Sequence, residues 1–343
     1  MMIQGHTLSA VLVPETKITT LYQFLHILRG LTAPAFLIAS GCGLAFSICR
    51  KKNRAWWNVL IQRLIRITPI LLMGYFLHLP RFSLLQLLTQ TTDKEIAQFF
   101  QCDILQTIGW TIIILQIVFI FLRPKKLIIG FSLISLLLIL FFTLEVNNSV
   151  VSPNFFTQLL TSKFGSNFPL FPFSAYLIFG LIFGFIFYQL QQKIEIRLIN
   201  ILIFVSGIIF FGSSFIVKIP AFVLFYFRTG LLLFLISLFL LFEDKKSSVL
   251  TFFVVIGQES FLIYFGHIII VYGSVINVNN NFAHYFGESL NTGLSSLLAL
   301  SLIVFMLAIG YLWHYLKDKN PVVSRMLRNT ISALVIVKFI TKF

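Results

Sequence analysis

The stretch LIIGFSLISLLLILFFTL, residues 127–144, contains no charged side chain and decides the class of the protein. A helix that crosses the hydrocarbon core of a bilayer needs roughly 20 consecutive, mostly apolar residues. Eight further stretches have a similar length and character. They lie at residues 22–48, 58–79, 103–122, 174–190, 198–217, 222–242, 250–276 and 292–316. The sequence therefore predicts an all-α, polytopic integral membrane protein.

The composition of the whole chain supports the same class. Of the 343 residues, 58% are hydrophobic and only 11% are charged, and the mean hydropathy is +0.95. Soluble globular domains contain about 25% charged residues. The composition therefore argues against a soluble enzyme, a disordered chain and a nucleic-acid-binding domain. The three cysteines, Cys42, Cys49 and Cys102, do not have the spacing of metal ligands, so we expect no bound metal.

Two shorter segments flank the predicted spans. Residues 1–13 are apolar but too short to cross a bilayer, and no basic region precedes them as in a signal peptide. The tail, residues 331–343, is expected to lie at the membrane interface. Counting a shortened first helix, we expect a bundle of about ten helices that forms one integral domain over residues 1–343. The sequence leaves an oligomer open.

The distribution of basic residues predicts the orientation of the chain. The net charge is +15, from 26 Lys and Arg against 11 Asp and Glu. These basic residues are concentrated in alternate loops, and such an excess is typical of the cytoplasmic side. Both termini are then cytoplasmic, and the loops near 14–20, 80–102, 145–173 and 277–291 face outward. The cytoplasmic set comprises Arg50, Lys51, Lys52, Arg54, Arg123, Lys125, Lys126, Lys193, Arg197, Lys245, Lys246, Lys317, Lys319, Arg325 and Arg328.

Two histidines are candidates for catalysis, because an ionisable residue within the bilayer is costly and needs a reason. His6 is a candidate general base, since an imidazole with a pKa of ~6.5 accepts a proton near neutral pH. His267 is the second candidate, and with Ser260 and Tyr264 it follows the spacing i, i+4, i+7 along one helix face. For both histidines the alternative is a structural role in helix packing.

Four further polar residues are assigned to the same predicted site. Asp103 and Gln106 are three residues apart and share a helix face, so we predict that Asp103 orients His6 and that Gln106 binds substrate. For Asp103, N-capping of the helix is an alternative role that the sequence supports equally well. Arg29 and Arg228 have similar depths in their spans and are predicted to bind the acceptor or stabilise an oxyanion. Their alternative is to extend to the outer head groups.

A dense basic cluster lies on the predicted cytoplasmic side. Arg50, Arg63 and Arg66 are candidates for binding the phosphates of a donor, because a guanidinium pairs with phosphate through two hydrogen bonds. The alternative is that they only follow the positive-inside rule or bind anionic lipid. The sequence contains neither a Walker loop nor a GxGxxG fingerprint. The remaining members of the cluster are Lys51, Lys52 and Arg54.

Five short motifs follow one another along the chain: RGLTAPAFLIASG (29–41), RL (63–64), DILQTIG (103–109), FPLFP (168–172) and GQESFLIY (257–264). In this order they resemble the transmembrane acyltransferases related to heparan-α-glucosaminide N-acetyltransferase. The segment Met2–His6 resembles the end of that family's first helix, which makes His6 the catalytic residue carried over from the family. Because the family's first helix is longer, a misplaced start and a shortened, non-catalytic paralogue are both alternatives.

The resemblance implies transfer of an acyl group from cytoplasmic acyl-CoA, expected to be acetyl-CoA, to an acceptor across the membrane. The expected partners are the lipid bilayer, the acyl-CoA donor and a sugar or glycan acceptor, and the expected location is a bacterial inner membrane. Whether His6 acts as a base or carries the acyl group stays open. The rival class is a proton-coupled secondary transporter, because intramembrane Arg, Asp and His also mark such pathways.

Overall fold

The computed structural model describes residues 1–50, 56–122, 124–242 and 248–341, and the described chain is almost entirely helical. An isolated bridge joins Leu12 and Leu290. Six members of the basic loops lie outside the described residues: Lys51, Lys52, Arg54, Arg123, Lys245 and Lys246. The helices are α1 (Met2–Val11), α2 (Pro14–Lys17), α3 (Thr20–Arg29), α4 (Thr32–Arg50), α5 (Trp56–Leu77), α6 (Leu84–Thr89), α7 (Asp93–Phe99), α8 (Ile104–Phe121), α9 (Lys125–Ser149), α10 (Phe155–Leu160), α11 (Leu170–Leu190), α12 (Ile196–Ser213), α13 (Pro220–Leu240), α14 (Ser248–Gln258), α15 (Ser260–Tyr272), α16 (Phe282–Phe286), α17 (Thr292–Lys319) and α18 (Pro321–Thr341).

Eight helical stretches of the described chain are long and apolar enough to cross a membrane, and α14 with α15 forms a ninth span if this bent pair counts as one. The first stretch, Thr20–Arg50, comprises α3 and α4. The predicted all-α, polytopic membrane class is therefore confirmed. The predicted number of about ten spans was too high, because it counted α1, whose 10 residues fall well short of the roughly 20 that a span requires.

The predicted span at 250–276 contains a break. α14 and α15 meet at Glu259 and are bent by 67°. The Glu259 carboxylate is buried, and its Oε1 lies 3.0 Å from His314 Nδ1 and 2.5 Å from Lys317 Nζ, both on α17. A buried carboxylate is costly without such partners. At the bend, Glu259 thus meets the Lys317 ammonium and the His314 imidazole.

The described part of the predicted interfacial tail, residues 331–341, is the second half of a longer helix, and residues 342–343 lie outside the described residues. α18 begins at Pro321, and its side chains are exposed over almost the whole length. With 21 residues it is long enough for a span, but its composition is not that of a membrane-spanning helix. Its location at the membrane interface stays a prediction.

Contacts divide the described residues into two compact units. The first unit comprises Met1–Arg29, Phe76–Ile96 and Lys245–Phe343, and the second comprises Gly30–Tyr75 and Ala97–Asp244. The expectation of one domain over residues 1–343 stays a prediction.

In the first unit, the short helix α1 is held by the helices that pack around it. It contacts α15, α16 and α17, and Ile3 and Val11 belong to an apolar cluster with Val271, Leu302 and Met306. The Glu288 and Leu290 amides also donate to carbonyl groups at the end of α1. These contacts fix α1 although it is too short to be stable alone.

In the second unit, α4 and α11 form the most extensive helix pair. A Cβ atom on Gly41 would lie 2.0 Å from the Leu177 carbonyl oxygen, and one on Gly180 would lie 2.1 Å from the Ile38 carbonyl oxygen. Small residues at such positions let two helices in a membrane approach closely. Gly41 of the motif at 29–41 and Gly180 of α11 therefore serve helix packing.

Candidate functional site

The candidate base, His6, lies between two aromatic side chains of α15. Its ring centroid is 5.4 Å from that of His267 and 5.6 Å from that of Tyr272, which meets it edge-on. The Tyr272 hydroxyl donates to the His6 carbonyl oxygen over 3.3 Å. Thr7 is fully buried and donates to the Ile3 carbonyl, so this turn of α1 is well anchored. The structure thus brings the two candidate histidines together.

His267 is fully buried and presents one nitrogen without a hydrogen-bond partner. Its Nδ1 lies 2.8 Å from the Ile263 carbonyl oxygen, which only accepts, so Nδ1 carries the proton. Nε2 is then an acceptor, and within the described residues nothing donates to it. The Tyr264 ring packs edge-on at 5.6 Å, as the i, i+3 spacing predicts. His267 is thus held in place by its backbone hydrogen bond, and its Nε2 can accept one more hydrogen bond.

Arg29 extends from the end of α3 onto α1. Its Nη1 donates to the Gly5 carbonyl oxygen over 2.8 Å and also hydrogen-bonds with the Ser9 hydroxyl. Gly5 is required for this path, because a Cβ atom there would lie 2.0 Å from Arg29 Cδ. The guanidinium is therefore directed at the backbone one residue before His6 rather than only toward head groups.

A cavity of about 120 Å³ adjoins this contact. Pockets for drug-sized ligands are about 300–1,000 Å³. The cavity thus accommodates a group the size of an acetyl rather than a whole sugar or coenzyme. Its polar lining comes from Gln4, Tyr22, His26 and Arg29.

Asp103 and Gln106 form the N-terminal cap of α8. The Asp103 carboxylate accepts from the Ile104 amide over 2.8 Å, and Gln106 Oε1 accepts from the Asp103 amide over 3.1 Å. This reciprocal pattern is a capping box. The capping alternative for Asp103 is therefore confirmed. Asp103 belongs to the second unit and His6 to the first, so its predicted role in orienting His6 stays a prediction.

The end of the loop at 145–173 is fixed to the same end of α8. Ser166 accepts from the Cys102 amide over 2.8 Å, and the Phe168 amide donates to the Cys102 carbonyl over 3.0 Å. The Thr107 hydroxyl also donates to the Phe168 carbonyl. The aromatic motif at 168–172 is thereby held next to the Asp103–Gln106 cap.

The other candidate arginines have different surroundings. Arg228 of α13 is half-buried and interacts electrostatically with Tyr176, a fully buried side chain of α11 whose hydroxyl donates to the Leu224 carbonyl over 3.2 Å. Arg63 donates to Gln116 Oε1 over 2.9 Å and to Ser47 Oγ over 3.3 Å. Arg50 at the end of α4 and Arg66 in the middle of α5 are exposed. The phosphate-binding role of the three basic residues stays a prediction.

Sequence reasoning missed Tyr272 and the buried ion pairs of Glu259. Tyr272 follows His267 by five residues and does not continue the i, i+4, i+7 spacing of Ser260, Tyr264 and His267. Glu259 did carry a signal, because it is an acidic residue inside a predicted span and therefore needs a partner. That its partners are His314 and Lys317 depends on how α14 and α17 pack.

One comparison with known proteins finds a match. A family model described as "Heparan-alpha-glucosaminide N-acetyltransferase, catalytic" matches residues 1–217, well over half of the chain. No curated protein and no solved structure matches. The matched part contains His6, Arg29 and Asp103, whereas Arg228 and His267 lie C-terminal to the matched residues.

Proposed function

This chain belongs to the heparan-alpha-glucosaminide N-acetyltransferase catalytic family, and on that premise we propose which reaction it performs. It moves an acetyl group from cytoplasmic acetyl-CoA to a sugar acceptor at the outward face of the membrane. The observation that carries the proposal is the position of His6, beside His267 and Tyr272 and one residue after the backbone group that Arg29 binds. Acyl transfer requires a base and a group that stabilises negative charge, and the half-buried His6 and the guanidinium bound to the preceding residue are of these kinds.

In this reaction His6 accepts the proton of the acceptor. The acceptor's amine or hydroxyl attacks the thioester carbonyl carbon, and Arg29 stabilises the negative charge that develops on the carbonyl oxygen. The new C–N or C–O bond forms, the C–S bond breaks, and the leaving thiolate takes up the proton from His6. The unpartnered Nε2 of His267 is an acceptor that supports the protonated state of His6. In the alternative mechanism, His6 first carries the acetyl group itself.

We assign the remaining roles to residues outside α1 and α3. Asp103 orients the base, and Gln106 and Arg228 bind the acceptor. Arg50, Arg63 and Arg66 bind the phosphates of the donor. Two of these arginines are exposed, and Arg63 hydrogen-bonds only with the neutral Ser47 and Gln116 among the described residues, so its charge remains available to an anion.

The decisive experiment compares His6→Ala with His284→Ala in proteoliposomes. His284 is exposed in α16, within the same unit, and serves as the matched control. Transfer of labelled acetyl from acetyl-CoA to glucosamine should fall about 10²–10⁴-fold in the first variant and stay unchanged in the second. Acetyl-CoA binding should persist in His6→Ala and disappear when Arg50, Arg63 and Arg66 are neutralised together.

Two results would contradict the proposal. Full activity of His6→Ala would show that His6 is not the base. Proton-coupled solute uptake that is lost in His267→Ala, without any acetyl-CoA binding, supports the transporter instead.

Mass spectrometry after exposure to donor alone distinguishes the two mechanisms. An acetylated His6 peptide indicates the mechanism with an acyl-enzyme.

A further inference from the structure

We propose that the acceptor is an amphiphile with a long hydrocarbon chain, and that a groove between α8, α9 and α11 holds this chain. The groove measures about 530 Å³ and is lined almost wholly by apolar side chains of the second unit. The identity of the ligand as the acceptor rests on the proposed function. The binding of a hydrocarbon chain in the groove does not.

The groove has a buried floor and an exposed rim. Leu115 and Ile178 on the floor are 3% exposed, whereas Ile114, Leu138 and Phe142 on the rim are 44–50% exposed. Because α8, α9 and α11 are membrane spans, the rim opens toward the hydrocarbon of the bilayer. What enters from that side is a lipid chain and not a water-soluble molecule.

A buried polar atom distinguishes this groove from an ordinary lipid-facing surface. Thr111 lines the groove and is 3% exposed, and its hydroxyl has no hydrogen-bond partner among the described residues. One turn earlier, the Thr107 hydroxyl bonds to backbone carbonyls, as threonine in a helix usually does. A buried hydroxyl without a hydrogen-bond partner, such as that of Thr111, is energetically unfavourable in an apolar site. The linkage oxygen of a glycolipid or lipid-linked sugar would satisfy it.

The outward end of the groove explains why its occupant is an acceptor. Leu160, Leu170 and Phe171 line that end, and their segment is hydrogen-bonded through Ser166 and Phe168 to the start of α8. The start of α8 is the Asp103–Gln106 cap. Thr111 lies eight residues further along, about 12 Å by the helical rise. A chain in the groove therefore has its head group at the end of α8 that carries the Asp103–Gln106 cap.

The test is photolabelling of the full chain in lipid nanodiscs with palmityl glucoside that carries a diazirine on its chain. The variant Ile139→Trp fills the groove. Its matched control is Ile134→Trp, the same substitution on α9 at a residue that is 60% exposed and outside the groove. Ser135→Leu is a second, milder groove variant. Thermal unfolding of each variant verifies that it is folded.

We expect labelled peptides from α9 and α11, a decrease of about tenfold in Ile139→Trp, a smaller decrease in Ser135→Leu, and no change in Ile134→Trp. Unlabelled palmityl glucoside should compete, and butyl glucoside should not. Equal labelling of the two Trp variants overturns the groove as a specific site. Acetyl transfer that prefers butyl glucoside overturns the lipid-linked acceptor. Groove labelling without transfer to either glucoside supports the groove and counts against the proposed function alone.

Discussion

Arg29 reaches the backbone beside His6 because position 5 has no side chain. We expect Gly5→Ala to displace the guanidinium, since the new methyl group would lie 2.0 Å from Arg29 Cδ. The arginine is flexible, so the loss of stability should stay within about 1–3 kcal/mol. The loss of activity should be larger, about 10²-fold, because a displacement of about 1 Å at a reacting centre has that effect. Initial rates of acetyl transfer measure it.

The control for this variant is Gly257→Ala. Gly257 belongs to the same unit, and a Cβ atom there would meet nothing within 4 Å. Its activity and melting temperature should match those of the wild-type protein. If Gly5→Ala is as active as this control, the position of Arg29 is not important for the reaction.

At the scale of helices, Glu259 lies at the bend between α14 and α15. We expect Glu259→Gln to destabilise the protein by about 1–3 kcal/mol, the cost of leaving hydrogen-bonding groups unpaired. The loss should be smaller than the 3–5 kcal/mol of a fully buried pair, because His314 and Lys317 are 29% and 42% exposed and gain water. Lys317→Gln should cost less, since His314 remains. Thermal unfolding in detergent tests this order, and the reverse order would contradict it.

The pairing of α4 with α11 gives a second prediction for the helices. A methyl group on Gly41 or Gly180 would overlap backbone atoms of the opposite helix, which cannot move aside as a side chain can. We expect Gly41→Ala and Gly180→Ala each to destabilise the protein by about 3 kcal/mol or more. Gly43→Ala, two residues along α4 with nothing within 4 Å, should be neutral. The yield of folded protein and the melting temperature separate the three variants.

Sequence predicted the helices better than it predicted their contacts. Hydropathy gave the spans to within a few residues, because the bilayer fixes both their length and their composition. The cap at Asp103 was also among the alternatives, since capping depends on neighbours in sequence. The contact of Arg29 with Gly5 spans 24 residues, and that of Glu259 with His314 spans 55. Such pairs depend on how helices pack, which hydropathy does not encode.

For the whole molecule, cysteine labelling tests the predicted orientation across the membrane. The native thiols are shielded from a charged maleimide, because Cys42 is half-buried within the span Thr20–Arg50 and the other two are buried. Cys49 and Cys102 are 1% exposed, and burial raises the pKa of Cys102, which lies just outside its span, to about 12. Since the reactive species is the thiolate, this group stays protonated and unreactive at about pH 7 and also at about pH 9. Wild-type protein should therefore remain unlabelled by a charged maleimide at both pH values, as read by intact mass.

Against that background, Val151→Cys and Asn320→Cys report the two sides. Val151 is 90% exposed in the loop at 145–173, and Asn320 is exposed between α17 and α18. The excess of basic residues predicts that the first loop faces outward and that the α17–α18 connection is cytoplasmic. A membrane-impermeant maleimide should thus label Val151→Cys in intact cells and Asn320→Cys only after permeabilisation. The opposite pattern would place the basic loops outside, and Arg50, Arg63 and Arg66 could then not bind a cytoplasmic donor.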